Sequence, residues 1–91
     1  MSYKAEFGPK AAEQLREVHP RLGWKLLDAV DALCENPVGL SRPERLPSAE
    51  QFQAFRMRVQ DRDLAWNVTI YFQYATDEQT LYLVRFVIAL I

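Results

Sequence analysis

Residues 55–74, FRMRVQDRDLAWNVTIYFQY, contain the clearest structural pattern of this chain. Apolar and polar residues alternate over 55–60, and they alternate again from Leu64 to Tyr74. Alternation with a period of two is typical of a strand with one buried face. Because Asp61-Arg62-Asp63 separates the two runs, the sequence predicts a β-hairpin that turns at these residues.

Two further strands are predicted, one at each end of the chain. Residues 80–90 follow a turn at 76–79 and are apolar on both parities, which favours a central strand or one covered on both faces. At the start, Tyr3, Ala5 and Phe7 alternate with charged residues, which indicates a short strand with one buried face.

Between the first strand and residue 36, apolar residues recur at helical spacing over 10–18 and again over 21–35. His19-Pro20 separates the two helices, and Asn36-Pro37 ends the second. The following residues, 37–51, are rich in proline and are expected to form a loop of about 15 residues. The predicted fold is α+β, in the order β-α-α-β-β-β, with an antiparallel sheet packed against an N-terminal helical hairpin in a single domain spanning 1–91.

The composition of the chain limits the classes of function that it can have. The 91 residues are 49% hydrophobic and carry a net charge of -1, so any contact with phosphate must come from a local cluster of cations. One cysteine and one histidine exclude a disulfide framework and disfavour a zinc site, and no cofactor is expected. The most apolar stretch, 81–91, is far shorter than the roughly 20 residues that span a bilayer. Without a recognisable export signal, a cytoplasmic protein with no membrane contact is expected.

A local cluster of cations is present. Arg56 and Arg58, two residues apart on one strand, point to the same face about 7 Å apart, which is close to the spacing of consecutive phosphates. Arg62 lies in the turn that follows, and Arg85 interrupts the apolar C-terminal strand. Arg56 and Arg58 are expected to be open to solvent in a concave surface that the two short helices roof. The alternative interpretation is a solvated edge strand, with Arg85 as a cation that reaches water or discourages aggregation.

Several segments, taken in order, resemble the RelE/ParE-like toxins of bacterial type II toxin–antitoxin systems, and the RelE branch more closely. They are the opening strand YKAEF (3–7), the first helix PKAAEQL (9–15), the helix end LCENP (33–37), the loop pair RL (45–46) and the strand FRMRV (55–59). The last of these looks like the family's strand of aromatic, basic, apolar, basic and apolar residues. The resemblance covers most of the chain.

This resemblance implies an enzyme that needs no metal: a ribosome-dependent mRNA endoribonuclease that inhibits translation. In such toxins the ribose 2′-hydroxyl attacks the adjacent phosphate, and basic side chains stabilise the charge that develops. Arg56, Arg58, Arg62 and Arg85 are the residues of this sequence that fit the catalytic positions. The implied partners are a cognate antitoxin, the ribosome and mRNA, while the apolar C-terminal strand predicts either an antitoxin-like partner or a homodimer.

Two departures from the family favour an alternative function. Asp63 stands where the family has an arginine, and residues 88–91 lack the tyrosine, histidine or arginine that the family often carries there. The alternative is a catalytically degenerate interaction module that keeps the fold and binds an antitoxin-like partner or itself. A gyrase poison of the ParE branch is a third interpretation. The one histidine, His19, is expected to bond to a helix C-terminus rather than to act as a general base.

Overall fold

Three helices and five strands make up the structure, a computed structural model that describes residues 2–45 and 51–91, apart from the side chain of Arg45. In chain order they are β1 (Lys4–Phe7), α1 (Pro9–Glu17), α2 (Pro20–Glu35), α3 (Pro37–Leu40), β2 (Arg42–Arg45), β3 (Gln51–Asp61), β4 (Leu64–Tyr74) and β5 (Thr80–Leu90).

Prolines set the starts of all three helices. Pro9, Pro20 and Pro37 each lie in the first turn, where the missing N–H costs nothing. Asn36 ends α2 and also caps α3, because its side-chain oxygen accepts a hydrogen bond from the N–H of Gly39 at 3.1 Å. The helical hairpin predicted from the sequence is confirmed, and α3 is a short additional helix.

The five strands form one sheet in the order β1-β5-β4-β3-β2. The pairs β3–β4 and β4–β5 are antiparallel, as predicted, and so is the pair β2–β3, whereas β1 runs parallel to β5. Strands β1 and β2 lie at opposite edges of the sheet, and the helices α1 and α2 come between them in the chain. Strand β1 therefore has β5, and not β2, as its neighbour. The α+β fold is confirmed, and the sheet is mixed.

The helices cover one face of this sheet. The main core joins residues of α1 and α2 to the apolar parity of the strands, and its most deeply buried members include Leu26, Leu33, Phe72, Leu81 and Phe86. Among the described residues, the buried cluster on the opposite face is small: Phe52, Ala54 and Tyr71, with Val84 packed against them. One face is therefore the core, and the other is uncovered by any described helix.

The expected loop at 37–51 is wrong over its first half, because 37–40 form α3 and 42–45 form β2. Strand β2 has no apolar alternation of its own. Its order comes from pairing with β3, where Arg42 lies opposite Ala54 and Arg45 lies opposite Gln51. Residues 46–50, the rest of the predicted loop, lie outside the described residues.

Strand β5 is central at its start and free of a neighbouring strand on one side at its end. Its pairing with β1 stops at Leu83, whereas its pairing with β4 continues to Leu90. Among the described helices, none is long and apolar enough to cross a membrane.

Candidate functional site: an arginine face on the uncovered side of the sheet

Arg56 and Arg58 lie on the uncovered face of the sheet. Phe55, Met57 and Val59, the residues of opposite parity, pack into the core beneath the helices. Because successive side chains of a strand point to opposite faces, the two arginines face solvent on the other side, and both are exposed. The sequence correctly placed them side by side on one strand.

Arg85 shares this face. It lies opposite Tyr71 in the β4–β5 ladder, and its guanidinium carbon is 5.8 Å from the centre of the Tyr71 ring. Tyr71 is itself only 9% exposed, so the ring is a fixed platform within the small cluster on this face. The cation–π contact and the exposed position explain how a cation is accommodated in an otherwise apolar strand.

Tyr71 also lies diagonally across from Arg56, because it pairs with Ala54, two residues before Arg56 on the same strand. The pKa of Arg56 is raised chiefly by Glu44, whose Oε2 accepts a hydrogen bond from Nη2 of Arg56 at 2.6 Å, and to a smaller extent by Tyr71. Arg56 is therefore already paired with a carboxylate, although its side chain remains 58% exposed.

Arg42 is a cation on this face that the sequence analysis missed. Arg42 belongs to β2 and pairs with Ala54 of β3. Ala54 pairs with Tyr71 of β4, and Tyr71 pairs with Arg85 of β5. Directly paired residues share a face, so Arg42 lies in the same cross-strand row as Tyr71 and Arg85. The residues Arg42, Arg56, Arg58 and Arg85 are called the arginine face below.

Charge is concentrated on this side of the molecule. Among the described side chains, the uncovered face of the sheet carries a net charge of +3, although the whole chain carries -1. It has five cations and two carboxylates, which are Lys4, Arg42, Arg56, Arg58, Arg85, Glu6 and Glu44. This is the local cluster that binding to phosphate requires in a nearly neutral chain.

Arg62 does not join the arginine face. It occupies the turn between β3 and β4 with φ of 57°, and it lines a cavity of about 590 Å³ at the N-terminal end of α2. The same cavity is lined by His19 and Trp66, and by Arg21, which is 3.7 Å from Asp61 in an ion pair. The structure thus brings together Arg56, Arg58 and Arg85, and it leaves Arg62 on a different surface.

The expectation for His19 is wrong. Its Nδ1 accepts a hydrogen bond from the N–H of Arg21 at 3.2 Å, which makes it the N-cap of α2 rather than a partner of the end of α1. Since this is the one histidine of the chain, the arginine face has no imidazole to act as a general base. Tyr74 lies in the apolar parity of β4 near Tyr3 and Phe72, where burial raises its pKa.

No metal centre is found in the part of the chain that the structure describes, because it contains no group of three or more histidine, cysteine, aspartate or glutamate side chains able to hold an ion. Cys34 is buried, and burial raises the pKa of its thiol, with smaller contributions from Asp31 and Glu35. What the site offers chemically is hydrogen-bond donation and positive charge on an open surface.

The fold is similar to that of a solved protein chain from a toxin–antitoxin complex. The chain matches one chain in the crystal structure of the toxin–antitoxin complex RelBE2 from Mycobacterium tuberculosis with a TM-score of 0.73, over 94% of this chain and 96% of that one. This chain has a RelE-like toxin fold. The sequence identity is 17%, so the likeness is one of fold. The sequence matches no protein-family model and no curated protein.

The RelE-like fold agrees with the resemblance noted from the sequence. One spatial expectation is nevertheless corrected. The predicted position of Arg56 and Arg58, in a hollow roofed by the two helices, is wrong. The helices cover the opposite face, because Met57 and Val59 rather than Arg56 and Arg58 supply the apolar surface on which they pack.

Proposed function

We propose that this RelE-like chain is the toxin-type subunit of a toxin–antitoxin pair, and that its arginine face binds the RNA backbone. The observation that carries the proposal is the gathering of Arg56, Arg58 and Arg85 on the uncovered face of the sheet, with Arg42 beside them. Guanidinium groups bind phosphate oxygens in a bidentate manner and are suited to the charge that develops during phosphoryl transfer.

The proposed reaction is metal-independent cleavage of mRNA on the ribosome, in the cytoplasm. The ribose 2′-hydroxyl would give its proton to water and attack the adjacent phosphorus. The bond to the 5′-oxygen of the next nucleotide would break, that oxygen would take a proton from water, and a 2′,3′-cyclic phosphate would form. Arg56 and Arg58, about 7 Å apart, would hold consecutive phosphates along the strand. Arg85 approaches the same region across the ring of Tyr71. Arg62, which lines the cavity beside α2, is proposed to contact RNA outside the cleaved bond.

Glu44 regulates the affinity of this face for phosphate. Its carboxylate accepts the 2.6 Å hydrogen bond from Arg56, and a phosphate that binds Arg56 must displace it. A Glu44→Gln variant keeps the shape of the side chain but removes the competing charge, so binding of single-stranded RNA should tighten. Anisotropy of a labelled RNA oligonucleotide measures this change, and equal affinities of the two proteins would argue against phosphate binding at Arg56.

The interaction module without catalysis is the second candidate. The Glu44–Arg56 ion pair favours it, since it already occupies one of the two central arginines. So does the position of His19, which caps α2 and leaves the arginine face without an imidazole. In this second function the fold would bind an antitoxin-like partner and cut no RNA.

Expression in a bacterial host separates the two. The wild type should arrest growth and cleave mRNA, whereas an Arg56→Ala/Arg58→Ala variant should do neither. A Lys10→Ala/Arg16→Ala variant, which removes two exposed cations from α1, is the matched control and should stay toxic. Absence of growth arrest by the wild type, with folded protein present, would leave the interaction module. Equal toxicity of all three proteins would move the site away from the arginine face.

The partner is proposed to cover the apolar end of the sheet. Leu64, Leu90 and Ile91 are 51%, 63% and 61% exposed, and they lie close together because Trp66 pairs with Leu90 and the N–H of Ile91 donates to the carbonyl of Ala65. Apolar residues so grouped mark a contact surface. Co-expression with the product of the adjacent gene should give a stable complex, and a homodimer of the isolated chain is the alternative that light scattering would detect.

A further inference from the structure

The charges of α2 are arranged against the dipole of their own helix. The two cations, Arg21 and Lys25, lie in its first half, and three carboxylates, those of Asp28, Asp31 and Glu35, lie in its second half. Its first turn contains no acidic residue, and its last turn contains no basic residue. A helix dipole favours the reverse order, with anions near the N-terminus and cations near the C-terminus. The charges of α2 therefore do not stabilise the isolated helix.

Contacts within the chain compensate for little of this arrangement. Arg21 is 3.7 Å from Asp61, and the two side chains remain 45% and 24% exposed. An ion pair that is this long and this exposed contributes little to stability. The other four charged residues of α2 make no ion pair with any described side chain. These charges are therefore available to a partner molecule.

An exposed apolar pair lies among the charges. Trp24 is 70% exposed and Leu27 is 43% exposed. Residues three and four apart share one side of a helix, so both lie on the side opposite the residues of α2 that pack in the core. Tryptophan is enriched among the residues that contribute most to binding at protein interfaces. The exposed residues Arg21, Trp24, Leu27, Asp28 and Asp31 are called the α2 stripe below.

We infer that the α2 stripe binds the α2 stripe of a second copy of this chain, with the two helices antiparallel across a two-fold axis. In this arrangement the first half of each helix lies beside the second half of the other. The cations of one copy meet the carboxylates of the other, and the two helix dipoles oppose each other. A parallel pair would instead bring cations to cations and carboxylates to carboxylates, which repel.

The positions of the apolar residues set the register of the two helices. When the axis passes between residues 25 and 26, residue 24 of one helix is level with residue 27 of the other. Each Trp24 then packs on Leu27 of the second copy. Arg21 comes within one residue, about 1.5 Å along the axis, of being level with Asp31 of the second copy. Because the axis is two-fold, each of these contacts is made twice.

This dimer is expected to be weak and to leave the arginine face free. With 16 residues, α2 is about 24 Å long, so the contact belongs to the small class of protein interfaces. A Kd on the order of 10 μM is expected for a contact of this size. Since the helices cover the other face of the sheet, the dimer would carry its two arginine faces on opposite outer sides.

The test is an exchange of charge measured by sedimentation velocity over a range of protein concentrations. Arg21→Glu and Asp31→Arg each place like charges across the interface, and each variant alone should self-associate at least tenfold more weakly than the wild type. An equimolar mixture of the two variants has opposite charges at both contacts. The mixture should therefore form a heterodimer within about threefold of the wild-type affinity, which no effect on a single chain would produce.

Three further variants locate the surface. Trp24→Ala removes the exposed indole without touching the core and should weaken self-association at least tenfold. Arg16→Glu, the same change of charge on α1, and Leu90→Ala, a truncation at the exposed apolar end of the sheet, should each change it less than twofold. Circular dichroism at a concentration where the wild type is monomeric shows whether each variant is folded.

Three results would overturn the inference: a wild type that stays monomeric up to millimolar concentration, a mixture that associates no more tightly than the single variants, or an effect of Leu90→Ala as large as that of Trp24→Ala. The last result would place the interface at the end of the sheet. The inference does not depend on the proposed function, because self-association through α2 by a chain that cuts no RNA would uphold it while the nuclease proposal fails.

Discussion

The side-chain amide of Gln14 pairs with the backbone of Phe86 as a neighbouring strand would. Its Nε2 donates to the Phe86 carbonyl at 2.7 Å, and its Oε1 accepts from the Phe86 N–H at 2.8 Å. The contact joins α1 to β5 just beyond the last residue paired with β1, and Phe86 itself is 1% exposed. One side chain thus satisfies both backbone groups at the point where the sheet loses a strand.

Gln14→Ala should lower the free energy of unfolding by about 2 kcal/mol, because two partly buried backbone groups lose their partners. Gln14→Glu keeps an acceptor for the Phe86 N–H but has no donor for the Phe86 carbonyl. At neutral pH it should therefore lower the free energy of unfolding at least as much as Gln14→Ala does. Urea titrations measure both. Gln60→Ala, a truncation of an exposed glutamine on β3, is the control and should stay within about 0.5 kcal/mol of the wild type. A Gln14→Ala variant as stable as this control would contradict the prediction.

The turn of the β3–β4 hairpin contains backbone strain at Arg62. Asp61 pairs with Leu64, so the turn has two residues, and Arg62 has φ of 57°. A residue with a Cβ atom costs about 1 kcal/mol or more in this region, whereas glycine adopts it freely. Arg62→Gly should therefore be more stable than Arg62→Ala by about 1 kcal/mol, measured by urea unfolding.

The pair of variants also isolates the guanidinium of Arg62. Both remove it, so any effect on RNA cleavage that they share comes from the lost charge, and only the difference in stability comes from the backbone. If Arg62→Gly were the less stable of the two, the turn would not hold the positive φ in solution.

The sequence predicted the hairpin and the helices because each is specified locally. Alternation over 55–74 fixes a buried parity, and prolines fix where the helices begin. Strand β2 is different. Its four residues, Arg-Pro-Glu-Arg, contain no apolar alternation, and only pairing with β3 makes them a strand. The parallel direction of β1 likewise depends on which edge the chain reaches, which the local pattern does not encode.

The candidate site also combines features that the local sequence specifies with features that depend on strand pairing. The spacing of Arg56 and Arg58 predicted that they share a face. Met57 and Val59 alternate with them and are apolar, which indicates that the helices cover the face opposite the arginines. The contribution of Arg42 was not predictable, since it requires the register of β2 on β3. The linking position of Tyr71 between Arg56 and Arg85 depends on two pairings across three strands, which no periodicity reveals.

The turn between β4 and β5 should titrate at low pH through Asp77. Its carboxylate accepts hydrogen bonds from the N–H of Gln79 at 2.9 Å and of Thr80 at 3.0 Å, and from the Thr80 hydroxyl at 3.0 Å. The bond from Gln79, followed by that from the Thr80 side chain, lowers the pKa of Asp77 below its ordinary value of 3.8. The folded state therefore gains stability from Asp77 above that value, and the gain disappears as pH falls through the lowered pKa.

Carboxyl chemical shifts of Asp77, followed by NMR between pH 6 and pH 2, should show a midpoint below that of the acid-unfolded chain. Thr80→Val deletes one of the three hydrogen bonds and should move the midpoint upward without abolishing the shift. Asp77→Asn should remove this contribution to the pH dependence of the melting temperature. A midpoint of Asp77 at or above the ordinary range would contradict the hydrogen bonding described for the turn.

Cys34 should react slowly with thiol reagents in the folded protein. Its side chain is buried in α2, and desolvation raises its pKa from 9.0, with further contributions from the carboxylates of Asp31 and Glu35. The thiolate is the reactive form, so both low exposure and a raised pKa reduce the rate. Alkylation by iodoacetamide at pH 8, followed by mass spectrometry, should be at least tenfold slower than in urea-unfolded protein. Asp31→Asn/Glu35→Gln should shift the pH profile of this rate to lower pH while leaving the residue buried, whereas a native rate equal to the unfolded one would place the thiol at the surface.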